Sequence, residues 1–167
     1  MLGGSQTAAG DYAAAEQSYA RALEVDPHNA DALFAAAAND LLRGDFSGAA
    51  AKFGELAARE PPSIPATYYL GEAYESLGDI GQARKAYLAV VALGEADPAA
   101  AKAAGVYLAY AYEKVGRTDD AIAVYLRLLG ENESADLHAY LATLYTEQGA
   151  NDLAQQEYAR ALALNPH

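Results

Sequence analysis

Three histidines and one pair of glutamates are the first residues of this sequence to consider for chemistry. His28, His138 and His167 are metal-ligand types, but they are far apart in the sequence and their spacing predicts no metal site. Glu72 and Glu75 lie three residues apart and share a helix face, as a general acid and base would. No nearby residue supplies a nucleophile or electrophile, so an enzymatic role is disfavoured.

Two further polar pairs have structural interpretations. Asp119 and Asp120 fit the start of a helix, where carboxylates complement the backbone dipole. Asn39 and Asp40 stand where apolar residues are expected, and they either pair with Arg43 or a neighbouring hydroxyl or contact a ligand. The sequence has no phosphate-binding glycine loop, zinc-binding helix or nucleophile elbow. We therefore predict a protein without catalytic activity, cofactor or metal.

Composition restricts the partners. The 167 residues include 23 acidic and 11 basic side chains, for a formal net charge of -12. This charge repels phosphate and predicts no binding to nucleic acid or to an anionic membrane. The sequence shows no membrane-spanning run or signal peptide, and its lack of cysteine does not indicate a compartment. The localisation is therefore unknown, and is cytoplasmic or periplasmic if the chain is a fragment. The high alanine content favours a helical chain and hints at a GC-rich, bacterial source.

The elements that carry these residues follow from an internal repeat. Five glycines, spaced by 34, 34, 38 and 33 residues, each precede an alanine by five positions and an aromatic residue by nine. Such glycines end one helix in a left-handed conformation, and a polar residue then starts the next helix. The alanine allows close helix approach and the aromatic ring fills the space beyond it. The five glycines are Gly10, Gly44, Gly78, Gly116 and Gly149.

A packing face on each first helix follows from the same alignment. Positions eleven, eight, seven and four before the glycine form one helical stripe. In the last three repeats this stripe reads Thr67, Leu70, Gly71, Tyr74; Gly105, Leu108, Ala109, Tyr112; and His138, Leu141, Ala142, Tyr145. We expect these side chains to be buried between the helices.

The pattern resembles the tetratricopeptide repeat family. The segment Tyr68–Tyr74 followed by Gly78, Ala83 and Tyr87 carries the resemblance, as does the segment Tyr19–Pro27. It implies an all-α, right-handed solenoid of antiparallel helix hairpins, whose first helices line a concave groove that binds a segment of another protein. The implied repeats span approximately residues 1–29 (partial), 30–63, 64–101, 102–134 and 135–167 of a single domain.

The groove would be lined by the opposite stripe of each first helix. Five of the thirteen tyrosines lie on this stripe, whereas the other eight occupy positions that the repeat uses to pack its helices together. Tyrosine offers large contact area and a hydroxyl group, and the stripe carries six acids against one lysine. We therefore predict a partner segment with apolar or aromatic anchors and basic residues. The predicted groove residues are Phe34, Tyr68, Tyr69, Glu72, Glu75, Tyr107, Tyr110, Glu113, Lys114, Tyr140 and Glu147.

Alternative interpretations remain open at this stage. Some groove tyrosines could only pack between neighbouring first helices. The chain could be a scaffold that captures a protein segment, or a regulatory or substrate-recruiting arm of an enzyme whose catalytic domain lies outside it. Self-association through the repeat ends is a third hypothesis.

Departures from the repeat predict local irregularity. Asp40 replaces the tyrosine of later repeats, and the third junction has four extra residues in Gly94–Pro98. The first repeat starts inside a helix and the last lacks a polar capping helix. We therefore expect a piece of a longer chain, or a chain whose ends pack on a neighbour.

Overall fold

A computed structural model describes residues 12–165 of the chain. Within that range it contains ten α-helices and no β-strand. The helices are α1 (Tyr12–Val25), α2 (Ala30–Arg43), α3 (Phe46–Ala57), α4 (Ile64–Ser76), α5 (Ile80–Ala96), α6 (Pro98–Ala104), α7 (Val106–Val115), α8 (Thr118–Glu131), α9 (Ala135–Glu147) and α10 (Asn151–Leu164). The predicted all-α solenoid fold is confirmed. The expectations for Gly10, the truncated first helix and His167 lie outside the described residues.

The chain divides into two compact units, with the division inside α5 between Val90 and Val91. In the first unit, α1, α2, α3 and α4 pack in sequence, each on the next. In the second unit, α7, α8, α9 and α10 do the same, and the short α6 packs on α7. Each unit therefore contains helices packed in chain order, as a helical repeat requires.

The hairpin turns form where the glycine spacing predicts them. Gly44, Gly78, Gly116 and Gly149 all have positive φ values, between 75° and 83°. The residue after the glycine caps the next helix in two cases: Asp45 accepts a hydrogen bond from the backbone N–H of Gly48, and Asp79 from that of Gln82. The left-handed turn and the cap together reverse the chain between paired helices.

The core contains the small and aromatic residues that recur at two equivalent positions of each repeat. The alanine five positions after each glycine is buried in all five repeats (Ala15, Ala49, Ala83, Ala121 and Ala154). Four of the aromatic residues nine positions after the glycine are also buried (Tyr19, Phe53, Tyr87 and Tyr125). The fifth, Tyr158, is 43% exposed. The last hairpin therefore leaves its aromatic column partly open.

Gly71 shows why the packing face needs a small residue opposite the aromatic ring. A Cβ atom at Gly71 would lie 2.5 Å from Cε1 of Tyr87. The corresponding positions in the neighbouring repeats carry only alanine, at Ala37, Ala109 and Ala142, and all three are fully buried. A larger side chain here would separate the two helices of the hairpin.

The four extra residues of the third junction are absorbed without a long loop. Helix α5 runs for 17 residues to Ala96, Asp97 caps α6, and Pro98 is its first residue. Gly105 then separates α6 from α7 with φ 29° and ψ -91°. The first helix of the fourth repeat is thus broken into two pieces, which confirms the local irregularity that the insertion predicts.

Both polar side chains of the Asn39–Asp40 pair are buried and have protein partners. Asp40 forms an ion pair with Lys52 of α3, and Asn39 donates a hydrogen bond to the backbone carbonyl of Tyr12 over 3.3 Å. The expected pairing with Arg43 is not the one observed, because Arg43 instead pairs with Glu16 on α1. The two residues therefore have a structural role.

A second buried polar pair joins α9 to α10. His138 Nδ1 lies 2.6 Å from Glu157 Oε2, and both residues are buried. Arg160 donates to the other oxygen of Glu157 over 3.0 Å. His138 therefore lies on the packing face, as its position in the repeat predicts.

Residues 12–165 show neither a membrane-spanning helix nor a metal-binding cluster. No helix in this range is both long enough and apolar enough to span a membrane. The same residues contain no cluster of three or more side chains arranged to hold a metal ion.

Candidate partner-binding site

A cluster of aromatic rings in the first unit includes three residues of the predicted groove. Phe34 on α2 and Tyr69 on α4 meet edge to face with ring centroids 5.7 Å apart, and Tyr69 stacks on Phe53 of α3 at 5.4 Å. Tyr68 contacts the rings of both Tyr69 and Tyr87, with centroid distances of 5.6 and 5.7 Å. We call these five rings the first aromatic cluster. It joins α2, α3, α4 and α5.

Burial differs among the members of the first cluster. Phe53, Tyr68 and Tyr87 are buried, whereas Phe34 and Tyr69 are partly exposed. Tyr68 is therefore a packing residue, at 6% exposure, although the repeat pattern gives its position no packing role. The exposed side of the cluster is provided by Phe34 and Tyr69.

Two glutamates on α4 are held by the phenols of this cluster. Tyr68 donates a hydrogen bond to Glu72 Oε1 over 2.9 Å, and Tyr87 donates to Glu75 Oε2 over 2.7 Å. Burial of Tyr87, its hydrogen bond to Glu75 and the neighbouring carboxylate charges all raise the pKa of this phenol. The Tyr87 phenol therefore remains a protonated donor, and the two hydrogen bonds fix the orientation of both carboxylates.

These glutamates line a cavity of about 330 Å³ in the first unit. Its wall is completed by Leu41 at the end of α2, Phe46 at the start of α3, and Ser76. Glu72 and Glu75 are the two lining residues that belong to the predicted groove. Phe46 does not belong to it, and the repeat pattern gives no signal for Phe46 because the equivalent positions of the later repeats are not aromatic and carry Ile80, Thr118 and Asn151.

The second unit has a similar cluster on α7, α8 and α9. The rings of Tyr110 and Tyr140 meet edge to face at 5.4 Å, and Tyr125 stacks on Tyr140 at 5.7 Å. Tyr110 also contacts Tyr125 at 6.2 Å. We call these three rings the second aromatic cluster. Tyr140 is its most accessible member, at 37% exposure.

In the second cluster, too, the hydroxyl of a buried tyrosine donates a hydrogen bond to a glutamate. Tyr125 donates a short hydrogen bond to Glu113 of α7. The pKa of Glu113 is raised above its ordinary value, chiefly because the carboxyl group is partly buried. The hydrogen bond from Tyr125 and the charge of Lys114 act in the opposite direction, whereas the charge of Glu147 raises the pKa further. Burial, followed by interactions with Tyr140 and the charges of Glu113 and Asp136, also raises the pKa of Tyr110.

Other predicted site residues border the second cluster. Lys114 and Glu147 are exposed and are close enough to Glu113 for their charges to affect it. Tyr107 is partly exposed on α7. The structure therefore brings Tyr110, Tyr140 and Glu113 together, with the two exposed charges beside them.

The two clusters repeat the same stacking. In each, the aromatic residue nine positions after a glycine stacks on the tyrosine nine positions before the next glycine, as Phe53 does on Tyr69 and Tyr125 on Tyr140. Packing between successive repeats, left open by the sequence, is therefore one role of Tyr69 and Tyr140. The phenol of Tyr125, assigned by its column to packing alone, has the added role of holding Glu113.

Comparison with protein families agrees with this repeated geometry. One tetratricopeptide repeat model matches residues 1–63 and 107–167, and a second matches residues 40–105. The chain belongs to the tetratricopeptide repeat family. TPR repeats are in general non-catalytic interaction modules, so the fold indicates a scaffold for protein–protein interaction.

Solved TPR structures resemble the chain over nearly its whole length. TTC0263, a thermophilic TPR protein of Thermus thermophilus, is 27% identical with a TM-score of 0.71, covering 99% of this chain and 89% of that one. MamA from Desulfovibrio magneticus is 17% identical with a TM-score of 0.67, covering 99% and 92%. YrrB, a TPR protein with an unusual peptide-binding site, is 18% identical with a TM-score of 0.61, covering 98% and 83%. No curated protein matches this sequence.

Proposed function

We propose that the chain is a non-catalytic interaction module that binds an extended or helical segment of a partner protein. Within a unit, the segment lies on the first-helix stripe, where the exposed side of the aromatic cluster and its neighbouring carboxylates provide the contacts. The observation that carries this proposal is the ring of Tyr140, which is 37% exposed while it stacks on buried Tyr125 and meets Tyr110 edge to face.

A tyrosine anchored in this way suits recognition. Stacking restricts the ring of Tyr140 before binding, so little side-chain entropy is lost when a partner covers it. Tyr69 is anchored in the same way on Phe53 in the first unit. Rigid aromatic residues of this kind contribute strongly to protein interfaces.

The charge of the surface defines the chemistry of the partner. Glu72 and Glu75 accompany the first cluster, and Glu113 and Glu147 the second, whereas Lys114 is the single base of the predicted site. A segment with apolar or aromatic anchors and nearby lysine or arginine is complementary to such a surface. The peptide-binding site attributed to YrrB, which shares the fold, supports a peptide ligand.

Selection of peptides from a random displayed library provides the test. Selected peptides are synthesised with a fluorophore, and their dissociation constants are measured by anisotropy with the wild type and with Tyr140→Ala. We expect binding to weaken by about 20- to 30-fold, equivalent to the roughly 2 kcal/mol of an interface anchor. Replacing the basic residues of the peptide by glutamine should weaken binding as well.

Tyr158→Ala is the matched control. Tyr158 has a similar exposure, 43%, but lies on α10, away from the first-helix stripe. Its removal should leave peptide affinity unchanged. Peptides that bind equally to wild type and Tyr140→Ala, or a library that yields no specific binder, would contradict the proposed function.

A further inference from the structure

The cavity of the first unit is lined by residues of two chemical kinds. Leu41 and Phe46 are apolar, and Glu72, Glu75 and Ser76 are polar. Its volume of about 330 Å³ is at the lower end of the range for ligand pockets. No basic residue is among the five described residues that line it.

The two carboxylates are oriented before any ligand arrives. Tyr68 and Tyr87 each donate a hydrogen bond to one of them, at 2.9 and 2.7 Å. Both phenols belong to buried rings of the first aromatic cluster, so the packed core of the unit restricts them. A cation that enters therefore meets acceptors whose positions are already fixed.

We propose that this cavity is an arginine pocket, which takes the side chain of one arginine of the partner segment. The proposal rests on the proposed function for the origin of that arginine. The methylene groups of an arginine side chain match Leu41, and its planar guanidinium can lie on the ring of Phe46 while its N–H groups donate to Glu72 and Glu75. A lysine ammonium is more strongly hydrated and cannot stack in this way, so arginine is the better fit.

Titration with small probes tests the pocket directly. The probes are N-acetyl-arginine methylamide, the lysine equivalent, and the citrulline equivalent, which has nearly the shape of arginine without its charge. Backbone amide resonances of the isotope-labelled protein report binding. We expect saturable shifts at Leu41, Phe46, Glu72, Glu75 and Ser76 with arginine, and affinities about tenfold weaker with citrulline and with lysine.

Two variants locate the effect. Glu72→Gln/Glu75→Gln removes both charges, and its amide oxygens can still accept hydrogen bonds from the phenols, so the fold should persist while arginine affinity falls by about tenfold or more. Glu24→Gln is the matched control, because Glu24 is an exposed glutamate of the same unit on α1. It should bind arginine as the wild type does.

The outcomes separate this proposal from the proposed function. Equal binding of arginine and citrulline, equal binding of arginine and lysine, absence of shifts at the cavity, or an unchanged affinity in the double variant would each overturn the arginine pocket. If peptides selected in the library experiment still depend on Tyr140, the proposed function stands without the pocket. If arginine binds the cavity as expected and no library peptide binds, the pocket stands and the proposed function fails.

Discussion

The phenol of Tyr87 is joined to Glu75 by a hydrogen bond of 2.7 Å that links the two helices of one hairpin. Tyr125 and Glu113, which are separated by the same twelve positions, form the corresponding bond in the next repeat. In the second repeat the same two positions carry Phe53 and Leu41, which form no such hydrogen bond. The third and fourth repeats therefore have both the tyrosine hydroxyl and the glutamate carboxylate, whereas the second repeat has neither.

Removal of the Tyr87 hydroxyl should weaken its hairpin. We expect Tyr87→Phe to lower the free energy of unfolding by about 1 kcal/mol, since Glu75 is exposed and water can replace the lost donor. Urea unfolding followed by circular dichroism measures the change. Tyr158→Phe, which alters a hydroxyl on a ring that is 43% exposed, should change stability by less than about 0.5 kcal/mol. Equal effects of the two substitutions would show that the Tyr87–Glu75 bond adds nothing.

Glu113 should give the second unit a pH-dependent stability. Burial raises the pKa of Glu113 above its ordinary value of 4.5, so the folded state binds this proton more tightly than the unfolded chain does. The resulting contribution to stability is fully present below the unfolded pKa and is lost as the pH rises through the folded pKa. Glu113→Gln cannot titrate and should therefore become more stable relative to the wild type as the pH rises above the ordinary carboxyl pKa of 4.5.

The Tyr125→Phe variant provides a check on the same titration. In the wild type the hydrogen bond from Tyr125 lowers the pKa of Glu113. Because Tyr125→Phe removes this bond, the pH range over which stability is lost should move to higher pH in this variant. Unfolding midpoints in urea across the pH series measure both effects. A constant difference between wild type and Glu113→Gln at every pH would contradict the prediction.

The ion pair of Asp40 and Lys52 should be needed for stability because Asp40 is buried. We expect Lys52→Met to cost about 2 kcal/mol, less than for a fully buried pair since the Lys52 side chain is 33% exposed. Asp40→Leu/Lys52→Met should recover most of this loss, because no uncompensated buried charge remains. Lys85→Met, at an exposed lysine of α5, is the control and should be nearly neutral. A double variant as unstable as the single one would contradict this account.

The break between α6 and α7 should depend on Gly105. Its φ of 29° is strained for other residues, and an added Cβ would lie 2.9 Å from Leu128 Cδ2. Gly105→Ala should therefore destabilise the protein by about 1–2 kcal/mol. Gly130→Ala, in helix α8 with nothing within 4 Å of its Cβ, should be neutral or slightly stabilising, by up to about 1 kcal/mol. Thermal unfolding of both variants measures the contrast, and equal melting temperatures would argue against strain at Gly105.

The sequence predicts the hairpins of this fold well because they depend on local rules. A glycine such as Gly78 sets its turn through backbone conformation alone, and the spacing to Ala83 and Tyr87 follows from helix geometry. The burial of Tyr68 was not predicted. Its environment includes the ring of Tyr87 from the second helix of its own repeat, a contact that stripe periodicity on one helix does not represent.

The proposed binding surface is only partly predictable for the same reason. The stripe places Glu72 and Glu75 on one face, but the cavity beside them also needs Phe46 from another helix. The partner of Asp40 was expected to be Arg43 or a neighbouring hydroxyl, yet Lys52 is the residue that the hairpin brings to it. Contacts between helices depend on three-dimensional packing, and a pattern along one helix does not contain that information.

The polar pairs within the hairpins have a consequence for the serial order of the repeats. The second repeat joins its helices through Asp40 and Lys52, the third through Tyr87 and Glu75, and the last through His138 and Glu157. Exchanging the first helix of the second or the last repeat for that of another repeat would leave Asp40 or His138 without its counterpart. The third and fourth repeats share the tyrosine–glutamate pair, so the matching of first to second helix is specific in the second and last repeats.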